Sequence, residues 1–166
     1  DDMGGVIAKL GGKKDYENRR FYYAPDVSLS KSGLHYNIAI GSGYRSHPLD
    51  QDIHDSFYIV RDGFSMEEIR KRTALGLYIT PDGRFGADGQ LYDVTYSYDQ
   101  VTNDESMGCY INLVDRGTNT FVGEKSLAKS LTFGGEVMFT TFEPTSSSGA
   151  TSCSPSQGVA RLYTLD

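Results

Sequence analysis

Tryptophan is missing from the 166 residues, and there are only two cysteines, Cys109 and Cys153. Neither cysteine has a neighbouring Cys or His, so no zinc spacing is present. No apolar run approaches the ~18 residues that a membrane-crossing helix needs, which argues against membrane insertion. Positive charge is also scarce. The formal net charge is −6, and the basic clusters Lys13-Lys14 with Arg19-Arg20 and Arg70-Lys71-Arg72 are short and flanked by acids. This argues against nucleic acid as a partner, because phosphate binding needs a basic surface that displaces counterions. The stretch GGKKD lacks the spacing of a phosphate-cradling loop. The chain opens on Asp1-Asp2-Met3-Gly4 without a signal-peptide pattern; this reads as a processing boundary, with a secretion signal expected upstream.

What is abundant is glycine (19) and tyrosine (12), set in a chain long enough for one packed domain. Most segments read as short strands. In YNIAIG, Tyr36, Ile38 and Ile40 alternate with Asn37, Ala39 and Gly41, the period of two of a half-buried strand. LTFGGEVMFTTF reads as a hairpin turning at Gly134-Gly135, a pair that tolerates positive φ. A single helix is expected at SMEEIRKR, where Ser65 can cap, Glu68 completes a capping box, and Arg70 to Arg72 suit the C-terminal end.

The two ends of the chain repeat one another. RRFYYAPDVSLS, LHYNIAIGSG, a polar loop with Pro48, and DSFYIVRD match GEKSLAKSLTF, EVMFTTFEP, a loop from Pro144 to Gly158, and VARLYTLD. Each unit is strand, hairpin, strand, long loop, strand, and each closes on an aspartate, Asp62 or Asp166. MGCYINLV supplies a fourth strand to the first unit, and the second unit lacks one. Four-stranded meanders in series are blades of a β-propeller. The expected fold is thus all-β: a partial propeller of about two blades, with one short helix in an insertion. The first blade takes residues 19–62 and 107–114, the insertion 63–106, and the last blade 123–166. Small residues in the second strand (Ala39, Gly41, Gly43) suit an inner position near the axis. An antiparallel sandwich or open barrel is the alternative. Exposed strand edges predict self-association or coverage of the edge by the insertion.

The wording of these strands resembles a known family. RRFYYAPDVSL, NIAIGSGYRSHPLD, FYIVRD, LYDVT, GEKSLAKSLTFGGEVMFTTFEP and CSPSQGVARLYTLD are similar to the C-terminal β-propeller of PilY/PilC proteins of type IV pilus machines. The resemblance runs from about Gly4 to Asp166. It implies a secreted, non-enzymatic module at the pilus tip or outer-membrane surface, with a part in pilus assembly, twitching motility and attachment. Pilin or minor pilin subunits are the implied partners, and a host receptor or glycan the alternative one. Full-length members often carry a calcium loop of the Asp-x-Asn-x-Asp-Gly type ahead of this region. No such loop occurs here, so no cofactor is expected in this segment. Where members have Gly-Trp-Tyr, this chain has Gly108-Cys109-Tyr110.

Ionisable side chains are densest in GSGYRSHPLDQDIHD, residues 41–55. As an EF-hand loop from Asp50 the match fails, since His54 and Asp55 stand at positions five and six and Arg61 at position twelve. Looser calcium binding by Asp50, Asp52 and Asp55, or zinc at His47 and His54, are weaker readings. The favoured one is a solvated rim loop in which Arg45 pairs with a nearby aspartate. Ser42 lacks the outer glycine of a nucleophile elbow, as Ile40 takes its place, and nothing pairs a base with it. No catalytic residue is therefore nominated. Tyrosine favours recognition surfaces, and TYSYD (95–99) is the best exposed cluster. The candidate interaction surface comprises Tyr44, Arg45, His47, Asp50, Asp52, His54, Asp55, Tyr96 and Tyr98, with loops Tyr44–Asp55 and Pro144–Gly158 on one rim. The blade order also places Cys109 and Cys153 at opposite rims, roughly 20 Å apart across a strand. Bridged Cα atoms lie within ~7 Å, so no bridge between them is expected.

Overall fold

The structure is a computed structural model, which describes residues 5–81, 91–96, 107–145 and 158–165. Eleven strands and one α-helix appear among these residues, so the fold is all-β.

The first sheet is built from β1 (Asp26–Leu29), β2 (Tyr36–Gly41), β3 (Ser56–Asp62) and β5 (Gly108–Asn112), an antiparallel meander in that order. Pro25, which has no N–H to donate, precedes β1 and limits the first strand to four residues. A fifth strand, β4 (Tyr92–Asp93), comes from the insertion and pairs in parallel with Cys109 and Tyr110 of β5. The insertion thus covers part of the outer edge of this sheet. It also carries the helix α1 (Met66–Ala74), where Ser65 and Glu68 form the reciprocal capping box. The cap satisfies amides at the helix start that have no partner inside the helix.

The hairpin β6 (Val114–Asp115) and β7 (Thr120–Phe121) leads to the second sheet. There, β10 (Glu136–Pro144) pairs along its length with β11 (Gly158–Leu165). Its other edge is shared by β8 (Lys125–Ser126), opposite Thr141 and Phe142, and β9 (Leu131–Phe133), opposite Glu136 to Met138. What reads as one strand over 123–133 is therefore two short ones. Gly134 and Gly135 turn β9 into β10 with φ of 65° and 93°. Both are positive, as a type I′ hairpin requires. Among the described residues β11 pairs on one edge alone, so this sheet stops at three strands across.

Burial in the first sheet departs from simple alternation. Ala39, Phe57, Cys109 and Ile111 pack on one face against Val137, Phe139 and Leu165 of the second sheet. The opposite face, with Tyr58, Val60 and the half-buried Ile38 and Ile40, is covered by Ile7, Ala8, Leu10 and Phe21 and by Ile79 and Leu91 of the insertion. The covering segments are held by backbone bonds from Lys9 N–H to Ile79 and from Ile79 N–H to Ile7, both 2.9 Å. Both faces of β3 are therefore apolar, which explains the unbroken run Phe57-Tyr58-Ile59-Val60. Tyr36, expected inside, is 54% exposed at the strand end, while Ala39 is fully buried. Three rings stack through the core: Phe57 on Phe139 at 3.7 Å, and Phe139 on Tyr163 at 4.8 Å.

The glycines at the end of β2 and just after it, Gly41 and Gly43, face a close neighbour. A Cβ on Gly41 would lie 2.4 Å from that of Ser126, and one on Gly43 would lie 2.5 Å from the Ser126 carbonyl oxygen. Ser126 N–H also donates to the Ser42 carbonyl at 2.9 Å. It is the start of the second sheet that crowds this end of β2.

Candidate functional site

The loop that follows β2 leaves the sheet at Ser42-Gly43 and returns at Asp55-Ser56. Its base is closed by a buried hydrogen-bond ring. Ser42 Oγ donates to Asp55 Oδ1 at 2.7 Å and accepts from Ser56 N–H at 3.0 Å. Asp55 is fully buried, and its Oδ2 has no hydrogen-bond partner. Burial pushes the Asp55 carboxyl up to about 6, against the opposing pull of the Ser42 hydrogen bond and of Lys125. As a surface residue Asp55 is thus a correction: it props the loop from below, out of reach of a partner.

Lys125, in β8, fills the space under the loop. Its side chain is buried, and Nζ donates to the carbonyl oxygens of Pro48 (3.0 Å), Asp50 (2.6 Å) and Gly123 (2.5 Å). Burial lowers the pKa of Lys125, and Asp55 and Asp50 oppose that shift. Three carbonyl acceptors need three N–H donors, which the ammonium has and the neutral amine lacks. The charged form therefore matches the geometry. Gly123 has a φ of 78°, and a Cβ there would lie 2.8 Å from Gln51 Cα and 2.9 Å from the Asp50 carbonyl oxygen. Only glycine allows this approach of the second sheet to the loop.

Above this floor the candidate residues separate. Tyr44 carries Arg20 over its ring at 3.7 Å and His47 against it at 4.5 Å. Tyr44, Ser46, His47, Pro48, Leu49 and Asp50 line an open groove of about 480 Å³. Asp50 is half-buried and closes a local turn by accepting Asp52 N–H at 3.0 Å, while Asp52 is exposed. Arg45 is exposed, but its expected aspartate partner is absent among the described residues; its guanidinium lies over the Tyr23 ring at 5.4 Å. A flat ring within reach of a long cation offers contact without fixing two flexible chains in one geometry.

His54 is drawn away from the groove. Its ring stacks on Phe121 of β7 at 3.9 Å and lies tilted against Tyr16 at 4.3 Å. Its backbone is also pinned, N–H to the Tyr16 carbonyl and carbonyl to Arg19 Nε. Burial, then the nearby Arg19, lowers its pKa and favours the neutral ring. Tyr96 is exposed, and its hydroxyl donates to Asn119 Oδ1 at 2.6 Å in the turn between β6 and β7. That hairpin is the shared neighbour of Tyr96 and His54. Tyr98 lies outside the described residues. Of the second rim loop, Pro144 meets the first loop, its carbonyl accepting from Gln51 Nε2 at 3.3 Å; residues 146–157 lie outside the described residues. Among the described residues no three His, Cys, Asp or Glu side chains gather as a metal would need. No helix of the described residues is long and apolar enough to cross a membrane.

Sequence reasoning missed Lys125 and the residue before it. Lys125 opens β8 and reaches toward the loop, while Glu124, just before the strand, reaches into the second sheet. There Glu124 Oε1 accepts from the Tyr163 hydroxyl (2.8 Å) and from Thr141 Oγ1, and Arg161 bridges Glu124 and Glu143. The available signal was two adjacent opposite charges, after a glycine, opening a predicted strand. Cys109 is a buried free thiol whose pKa burial raises to about 11. Cys153 lies outside the described residues.

Among the described residues two sheets pack face to face and close no ring, as two blades of a partial β-propeller do, the class that the repeat of strands led us to expect. No protein-family model matches the chain, and no curated protein does. Among solved structures it is similar to the crystal structure of the Pseudomonas aeruginosa PilY1 C-terminal domain, with 14% identity and a TM-score of 0.55. The likeness covers 81% of this chain and 31% of that one. At this identity the likeness is one of fold.

Proposed function

We propose that this chain is a non-enzymatic module of a type IV pilus tip and biogenesis protein. It acts by protein–protein contact in pilus assembly, twitching motility and surface attachment, outside the cell at the pilus tip or outer-membrane surface. The observation that supports this reading is the shared fold with the PilY1 C-terminal domain, taken with the ordered strand motifs set out above. Its partners are pilin or minor pilin subunits, and the contact surface is the rim formed by Tyr44, Arg45, His47, Asp50 and Asp52. The aromatic and apolar lining of the 480 Å³ groove beside Tyr44 favours a second reading, a receptor- or glycan-binding module that works independently of assembly.

Deleting the segment in the parent organism, then counting surface pili and assaying attachment, tests both readings. Loss of pili supports an assembly role. Normal pili with poor attachment supports the adhesive reading, and no change in either result refutes both.

A further inference from the structure

We propose that the strip where residues 20–23 lie beside 43–47 is a docking surface for a carboxylate-bearing segment of a protein partner. The proposal rests on the reading of the rim as a protein contact surface, and it names the chemistry of what lands there. The two stretches are tied together along their length. The Arg20 carbonyl accepts the Gly43 N–H at 2.9 Å, and the Tyr22 hydroxyl lies 3.5 Å from Ser46 Oγ. Two arginines lie over tyrosine rings there, Arg20 over Tyr44 and Arg45 over Tyr23, with the exposed His47 against Tyr44.

Among the described residues neither arginine has a carboxylate within ion-pair distance. Asp26, just past Tyr23, pairs with Lys129 and accepts the Thr132 N–H of β9. Asp50 and Asp52 flank Gln51, at the end of the loop that meets Gly123 and Pro144. Arg161, by contrast, is held by Glu124 and Glu143. Contact with a ring consumes no hydrogen bond, so the planar N–H fork of each guanidinium stays open to a carboxylate. The ring also restrains the fork beforehand, so less side-chain freedom is lost on binding. The chain carries a net charge of −6. Most of its surface therefore repels an acidic segment and leaves this strip as the place that attracts one.

The test measures binding of a fluorescent hexaglutamate peptide to the whole chain by anisotropy, with hexalysine and sialyllactose as comparison probes. Saturable binding of hexaglutamate is expected, weakening as NaCl rises from ~0.05 to ~0.5 M. Arg20→Gln and Arg45→Gln should each raise its Kd about fivefold, the loss of one exposed charge pair. Arg45→Lys keeps the charge without the planar fork and should recover part of that loss. Arg45 is exposed, so its variants are expected to melt with wild type and to report on binding even if Arg20→Gln unsettles Tyr44. A merely structural role would leave the Kd and its salt dependence unchanged in the Arg45 variants. No saturable binding, a Kd indifferent to both glutamine variants, or equal binding of hexalysine overturns the proposal. Tighter binding of sialyllactose than of the peptide overturns it too, because the carboxylate would then come from a glycan. Failure here is distinguishable from failure of the pilus reading. Peptide binding is measured without pili, and deletion of the segment scores pili and attachment without regard to what lands on the strip.

Discussion

Asp55→Asn is expected to stabilise the protein at neutral pH. The carboxyl is fully buried, and burial raises its pKa from 3.8 to about 6. The folded state therefore binds more protons than the unfolded state between these values, and stability falls as pH rises through that window. The interval is about two pH units at ~1.36 kcal/mol each, or about 3 kcal/mol for complete ionisation. No discount for solvent screening applies to a carboxyl without exposure. Asparagine keeps an oxygen for Ser42 Oγ and carries no charge to bury. Urea unfolding of wild type and variant should give similar free energies near pH 3. The variant should gain steadily to about 3 kcal/mol by pH 7.5. Exposed carboxylates such as Glu68 and Asp115, whose pKa values are lowered by hydrogen bonds to Ser65 and Thr118, act in both proteins and cancel in the difference. Two curves that run parallel from pH 3 to 7.5 would refute the burial argument. A variant less stable at every pH would show that the attraction between Asp55 and Lys125 outweighs the cost of burying the charge.

Phe139→Ala removes the middle ring of the stack that joins the sheets, and a loss of ~3–5 kcal/mol is expected in denaturant unfolding; a loss below ~1 kcal/mol would mean that the sheets are held by other contacts. Cys109, buried and with a thiol pKa raised to about 11, should resist alkylation in the native state and react after unfolding, as read by peptide mass mapping. Labelling of native Cys109 at the rate of a free peptide thiol would contradict its placement. The edge strand β11 pairs on one side among the described residues, and its Leu162 is 68% exposed. Concentration-dependent self-association is therefore expected in sedimentation, and Leu162→Lys should weaken it. Equal association by wild type and variant would place the contact elsewhere.

Elements whose signals lie within a few residues were legible in the sequence. Ser65 and Glu68 meet across one helical turn, and Gly134-Gly135 turns a hairpin that its own φ angles allow. The sequence of strand, hairpin, strand, long loop and strand followed from comparing the two ends of the chain, a repeat written in the strand pattern itself, and MGCYINLV was placed beside it as the outer strand of the first unit. Both faces of the first sheet had to be seen to explain why Ala39 is more buried than Tyr36. That depends on which segments cover each face.

The candidate site was legible as a place and not as a mechanism of support. Residues 41–55 stood out by their charge density, but that density does not say which partner, inside the stretch or outside it, each side chain takes. Arg45 chose the Tyr23 ring, His54 was enclosed by Tyr16 and Phe121, and Asp55 went under the loop to Ser42. Local pattern, propensity and turn chemistry are short-range properties, so the sequence by itself determined strands, helix, hairpin and the repeat of the two units. The burial of Asp55 and the ring of carbonyls around Lys125 arise only when the second sheet packs on the first. Those contacts join residues some 75 positions apart, and only the tertiary structure decided them.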